Sequence, residues 1–407
     1  MKPSRHQFTV LRQIIELIPR NLTSRLAKKH GVAKKARSFT PWSHAVSLVF
    51  TQLSHALSLN DVCDAMRNHS GSVATLRGAV PPSRNGLSHA NRVRNADMAE
   101  ELFWETLASL QSRCPNFGLG RKYVGIPRRF RRTINVVDST TIQLVARCMD
   151  WAKHRRRKAA AKCHMRLDLH TFLPRFAIVK SAGTHDSTEA GELCADVRDG
   201  EIVVFDKAYV DFGHLYSLKK RGVFWVTRAK RNMAYWIVGQ HTAPQGNILL
   251  DAEIQLLCPA SADDYPEHLR LVVAEVEVDG RRQVMTFLTN NTEWAASSIC
   301  ELYKARWAIE VFFKQLKQTL QLADFLGYSE NAVRWQVWTA LLTYVLLRFI
   351  SHISKWTGSF ARLFTILRGV LWSRLDMRSV LRFCGTASDP PRMCAAPAQA
   401  YLPGFAP

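Results

Sequence analysis

Ile134-Asn135-Val136-Val137-Asp138 is an apolar, β-branched run that ends in an acid. It reads as a strand. Working outward, Cys163 to His170 alternates, with Met165, Leu167 and Leu169 on one side and Arg166, Asp168 and His170 on the other. Phe176-Ala177-Ile178-Val179 makes a third strand, and Thr188 to Val197 reads as a helix. A second buried run, Ile202-Val203-Val204-Phe205-Asp206, again stops on an acid. Leu215 to Lys220 then reads as a helix and Val223-Phe224-Trp225-Val226-Thr227 as a fifth strand.

Three strands able to pair as a meander, followed by helix, strand, helix, strand, is the order of an RNase H-like α/β fold. Asp138 and Asp206 would end two of its strands, where open α/β sheets place their chemistry. One aspartate at a strand end is more often a turn or cap residue than a ligand. A third acid strengthens the pattern. In Tyr303-Lys304-Ala305-Arg306-Trp307-Ala308-Ile309-Glu310, read as one helix, Tyr303 at zero puts Arg306 near ~300°, Glu310 near ~340°, Lys317 near ~320° and Lys314 near ~20°. Ile309, Phe312, Phe313, Leu316 and Leu320 fall on a separate arc of roughly 180–280°. The apolar arc can be buried while the polar stripe faces a site. A charged helix face is usually only solvated; the conjunction with two strand-end aspartates argues for more. Three carboxylates held together repel unless cations intervene, and magnesium is the hard, oxygen-seeking ion that suits them.

The chain has 407 residues, with 56 Lys and Arg against 33 Asp and Glu, a formal charge of +23. Such an excess bears on partners: nucleic acid or an anionic membrane surface. The apolar segment Val337 to Ile350 is interrupted by Arg348 and is shorter than the roughly 20 residues that span a bilayer, so it reads as a buried core helix and nucleic acid remains. Basic runs flank the first acid: Arg121, Lys122, Arg128, Arg129, Arg131 and Arg132 before it, and Lys153, His154, Arg155, Arg156, Arg157, Lys158 and Lys162 after it. Arg228 and Lys230 end the fifth strand. These suit phosphate contacts. Nine cysteines, without a Cys-x-x-Cys pair or zinc spacing, read as reduced thiols of a cytosolic protein, and the N-terminus lacks a secretory pattern.

The organisation follows. Residues 1–115 read as a helical N-terminal domain, including a helix from Ser88 to Leu110; DNA binding fits it, and a dimerisation or purely structural role fits nearly as well, because no helix-turn-helix is fixed by the sequence. Residues 116–231 form the first part of the core and 232–292 a mostly β insertion with a hairpin at Asp279-Gly280. Residues 293–330 carry the Glu310 helix, with a helix start near Asn290-Asn291-Thr292-Glu293. Residues 331–385 are a helical C-terminal region, and 386–407 a Pro- and Ala-rich disordered tail.

Tyr303, Arg306, Glu310 and Lys317 fit Y-x2-R-x3-E-x6-K without a mismatch. The chain thereby resembles the DDE transposases of the insertion sequence 4 family. Val136-Val137-Asp138-Ser139-Thr140 resembles that family's first-aspartate block, Asp206-Lys207-Ala208-Tyr209 its second, and Trp225-Val226-Thr227-Arg228-Ala229-Lys230 the short block after it. The second block often reads Asp-Arg-Gly-Tyr; here Lys207 keeps the charge and Ala208 replaces the glycine. The resemblance implies two Mg2+ ions (Mn2+ as a substitute) on Asp138, Asp206 and Glu310. It implies cleavage at the element's terminal inverted repeats, second-strand cutting through a hairpin, and joining of 3′-hydroxyl ends to target DNA. By that analogy Tyr303, Arg306 and Lys317 would hold the ends, with Lys314 on the same stripe and Lys207, Arg228 and Lys230 nearby; Trp294 and Trp307 are candidates to stack a flipped base and equally credible as core residues. A homodimer would pair two ends, in the bacterial cytoplasm at the nucleoid. Two alternatives stand beside this reading. A plain RNase H-like nuclease would not need the Tyr/Arg/Lys stripe, and a non-catalytic derived regulator would be expected to lose an acid.

Overall fold

The computed structural model describes residues 2–32, 38–118, 130–144, 148, 151–155, 158–181, 186–278, 280–320 and 326–384. Ten strands form one sheet: β1 (Ile134–Leu144), β2 (Lys153–Arg155), β3 (Lys158–Asp168), β4 (Leu173–Ser181), β5 (Ile202–Phe205), β6 (Phe224–Arg228), β7 (Tyr235–Thr242), β8 (Ile248–Leu256), β9 (Leu269–Val278) and β10 (Arg281–Thr289). β1 pairs antiparallel with β3 and parallel with β5; β3 takes β4 antiparallel and β5 takes β6 parallel. The middle of the sheet therefore runs β4-β3-β1-β5-β6. The strands of 232–292 do not form a separate layer. They prolong the same sheet, because β10 pairs antiparallel with β6 and β9, β8 and β7 follow. β9 and β10 close across the expected turn, with Val278 opposite Arg281 and Gly280 at φ +73°.

Among the described residues, seven helices precede the sheet: α1 (Val10–Ile15), α2 (Leu22–Lys29), α3 (Pro41–Ser54), α4 (Leu59–Asn68), α5 (Ser70–Ala74), α6 (Arg84–Val93) and α7 (Asp97–Arg113). Thr9, Thr40, Ser58 and Ser83 cap α1, α3, α4 and α6 through their side-chain oxygens. The helix read over Ser88 to Leu110 is two helices. Asn95 separates them because its side-chain oxygen accepts from Asp97 N at 2.9 Å. α8 (Asp186–Leu193) and α9 (Phe212–Lys220) lie between strands, and α10 (Pro259–Asp264) follows β8. α11 (Ala296–Ala305), α12 (Trp307–Thr319), α13 (Glu330–Ile353), α14 (Phe360–Gly369) and α15 (Met377–Cys384) complete the described chain. α11 starts later than expected, since Asn291 Oδ1 accepts from Glu293 N and Trp294 N at 3.0 and 2.7 Å and forms a turn there.

Both faces of the sheet are covered, which is why its central strands are unbroken apolar runs. Ile134, Val136, Ile202 and Val204 share one buried cluster with the N-terminal helices, α12 and α13. Val137, Val203, Phe205 and Trp225 share another with α8 and α9. α13 is the one described helix long and apolar enough to cross a membrane, and 83% of its apolar window is buried in the protein. It packs on α3, α6 and α7 as well as on α12.

Candidate active site

Parallel pairing of β1 with β5 sets Val137 opposite Phe205. The next residue on each strand is an aspartate, so Asp138 and Asp206 stand side by side where β5 ends. Asp206 is held there by capping a short 3-10 turn, Lys207–Tyr209, its Oδ1 accepting from Ala208 N at 3.0 Å. Asp138 Oδ1 accepts from Ser139 N at 2.7 Å. The third acid comes from α12. Ile309, Phe312, Phe313, Leu316 and Leu320 are buried as their arc requires. Phe312 stacks edge-on against Phe172 and Tyr344, with ring centroids 6.0 and 4.9 Å apart. Burying that arc turns Glu310 towards the strand ends.

Arg306 joins the three. Its Nη1 donates to Asp138 Oδ2 at 2.6 Å, and its Nη2 donates to Glu310 Oε1 at 2.8 Å and lies 4.0 Å from Asp206 Oδ2. The signature is not one continuous helix. α11 ends and α12 begins at Arg306, where Arg306 N bonds Tyr303 O and Ile309 N bonds Arg306 O, each at 3.0 Å. These three-residue bonds tighten the backbone. Tyr303 is consequently buried, its ring 5.1 Å from Phe287 and under the Arg306 guanidinium.

One guanidinium faces three carboxylates. Burial raises the Asp138 pKa to about 6 against the opposing pull of Arg306, and Asp206 and Glu310 push it further up. Burial works against the Arg306 charge, but Asp138, Tyr303, Asp206 and Glu310 together outweigh it. Among the described residues, no three His, Cys, Asp or Glu side chains are arranged to close on a metal ion as they stand. Between these three acids stands Arg306.

A cavity of about 310 Å³ opens beside them, lined by Asp138, Ser139, Thr140, Glu310, Phe313, Lys314, Lys317 and Gln318. Lys317 Nζ donates to Thr141 O at 2.8 Å, and burial lowers its pKa. Lys207 is exposed on the turn after Asp206, and Arg228 is near enough to Tyr303 to influence its hydroxyl. Lys230 instead donates to Val210 O at 3.1 Å, tying β6 to the loop after Asp206. Arg155 belongs to β2; its side chain, like Arg156 and Arg157, lies outside the described residues, as do Arg121, Lys122, Arg128 and Arg129. Of the two tryptophans, Trp294 packs between Phe130 and Phe224 while Trp307 is 47% exposed.

Sequence reading missed a polar network behind the aspartates. Tyr209 and His164 are fully buried and share a 2.9 Å hydrogen bond. Lys162 Nζ is 2.5 Å from Asp186, which Ser139 Oγ also meets at 3.4 Å. The signal was present in the alternation of Lys162, His164 and Arg166 along β3, which sets three polar side chains on one face.

Comparison with known proteins decides the family. The model of the transposase DDE domain matches residues 129–346, more than half the chain and all three acids. The chain belongs to the DDE transposase family. A domain family of unknown function matches residues 6–75. This DDE transposase is 31% identical over 260 residues to a putative transposase of Sinorhizobium fredii, covering 63% of this chain and 71% of that one. It is 28% identical over 230 residues to a probable transposase of the element IS5377 from Geobacillus stearothermophilus, covering 56% and 59%. To the IS4 transposase InsG of Escherichia coli it is 22% identical over 197 residues, covering 46% and 42%. A solved piggyBac transposase synaptic complex with hairpin DNA overlays at a TM-score of 0.43 and 11% identity, covering 93% of this chain and 80% of that one. That likeness is too distant to carry an argument. The transposase is thus of the IS4 type.

Proposed function

We propose that Asp138, Asp206 and Glu310 are the catalytic acids of a cut-and-paste transposase that cleaves the ends of its element and joins them to target DNA. The single observation that carries this is the meeting of three acids, from two strands and a helix far apart in sequence, around one buried cation. The order β4-β3-β1-β5-β6 supports an RNase H-like core, with residues 232–292 as its insertion. The N-terminal helices supply DNA binding, and a homodimer pairs two ends.

The donor set fits hard divalent ions in kind: three carboxylates with a shared charge deficit and no sulfur or imidazole among them. Asp138, Asp206 and Glu310 would hold Mg2+ or Mn2+, which when bound activates the attacking oxygen and stabilises the leaving one. Arg306 competes for the same carboxylates. Its guanidinium matches a phosphate bidentately as well as it matches a carboxylate, so DNA offers it an alternative partner. Lys314 and Lys317, on the cavity wall, are placed for a phosphate near Glu310, and Lys207 and Arg228 border the acids. Exposed Trp307 suits a flipped base; Trp294, packed in the core, does not.

The test is a labelled duplex carrying the element's own ends, incubated with the protein and Mg2+. Wild type should cut it, and Glu310→Gln should bind it without cutting. Undiminished cutting by Glu310→Gln rejects the assignment. Nicks without joining to a target duplex would favour hydrolysis alone.

A further inference from the structure

We propose that the exposed face of α6 is the surface that reads the element's end, lying in the DNA major groove. This rests on the transposase reading and adds to it which helix meets the bases. Arg84, Asn85, Ser88, His89 and Arg92 are all exposed. At about 100° per residue they share an arc of roughly 140°. Leu87, Ala90 and Asn91 occupy the opposite, buried side. Among the described residues, none of those five side chains has a hydrogen-bond or ion-pair partner. No acid occurs from Arg84 to Asn95.

Neighbouring helices differ. Arg25 and Lys29 of α2 are bound to Glu105 and Glu101 of α7, and α4 exposes Asp61 and Asp64. The side chains on α6 are also the right kind. Arginine meets guanine O6 and N7 bidentately, asparagine meets adenine N6 and N7, and serine and histidine add donors. The two arginines supply charge complementary to phosphate.

The back of α6 is pinned by polar contacts. His44 Nε2 bonds Asn91 Oδ1 at 2.8 Å. Asn331 Nδ2 donates to Asn91 O at 2.9 Å and to Arg94 O at 2.5 Å, and Trp335 Nε1 donates to Arg94 O at 2.6 Å. Asn331 and Trp335 belong to α13, so α6 is fastened to the core rather than to a loose arm. A reading helix held in place loses little freedom on binding.

The experiment measures affinity for a duplex copied from the element's terminal repeats and for a scrambled duplex of equal composition, at two salt concentrations. Arg84→Ala and Asn85→Ala should each weaken the end duplex by roughly tenfold while changing the scrambled one less than about twofold. Arg92→Ala or either of those changes should leave the melting temperature unaltered, since these side chains have no hydrogen-bond or ion-pair partner among the described residues. Guanine N7 methylation in the end should interfere with wild type and no longer with Arg84→Ala. Wild-type affinity and discrimination in Arg84→Ala/Asn85→Ala would overturn the assignment of α6. If wild type cuts the ends in that case, the transposase reading stands without it. If wild type neither prefers nor cuts the ends, both fall.

Discussion

Arg306 decides the electrostatics of the site. Among the described residues it is the one cation placed against Asp138, Asp206 and Glu310 together, and it is buried among them. Removing it leaves three carboxylates whose mutual repulsion a bound metal ion or the uptake of a proton must relieve. The DNA-free Arg306→Gln protein should therefore bind Mn2+ roughly tenfold more tightly than wild type, one unit of competing interaction. The free-Mn2+ signal in electron paramagnetic resonance reads this directly. Equal or weaker binding would show that Arg306 supports the ion site instead of competing for it. The sequence showed that Arg306 and Glu310 share a stripe, because four residues make a helical turn. It did not show that the guanidinium reaches Asp138 and Asp206, since that depends on how α12 crosses the sheet. Lys230, read among the DNA contacts from its place at the end of the fifth strand, has its ammonium bound to the Val210 carbonyl, a contact the sequence did not show.

Elements carry the acids into place, and two of them do so with small devices. The turn after β5 holds Asp206, and its last residue, Tyr209, is anchored to His164 on β3. Tyr209→Phe should cost about 1 kcal/mol of stability, the worth of one hydrogen bond. It should also slow cutting while leaving affinity for the ends unchanged. A loss of end binding with unaltered cutting per bound duplex would contradict this role. The junction at Arg306 is the second device, tightening α11 into α12. The strands β1, β3, β4, β5 and β6, the apolar arc of α12 and the hairpin before β10 were legible, since each is a local pattern of period two, period 3.6 or turn chemistry; β2, β7 and β8 were not read individually. The junction was not, because Tyr303 to Lys317 keeps a helical period across it. The Asn95 break was missed for a similar reason: apolar spacing continues through it, and the turn in which Asn95 Oδ1 accepts from Asp97 N leaves no gap in that spacing.

At the scale of the molecule, one buried cluster joins the N-terminal helices, one sheet face, α12 and α13. Phe312→Ala, at the centre of that cluster, should cost about 3–5 kcal/mol. Unfolding by urea should show it as one lowered midpoint across the described helices and sheet; an unmoved midpoint would contradict a shared core. His44 adds a pH dependence. Burial lowers its pKa to about 3 despite its bond to Asn91, with Arg94 contributing. The unfolded chain takes up that proton near 6.5 and the folded chain only near 3. Stability should therefore fall as pH drops below 6.5, by up to about 1.4 kcal/mol per unit, and His44→Gln should flatten that slope. Composition indicated the anionic partner, and strand order indicated the α/β class. The prolongation of one sheet through β10 was not legible, because antiparallel partners across a long gap leave no local mark. The convergence of the three acids is the claim on which the rest depends. Fe2+ in place of Mg2+, with ascorbate and peroxide, cuts the backbone beside the bound ion. Cleavage is expected near 138, 206 and 310 together, and lost in Asp138→Asn; cleavage elsewhere, or at only one of the three, would contradict their convergence.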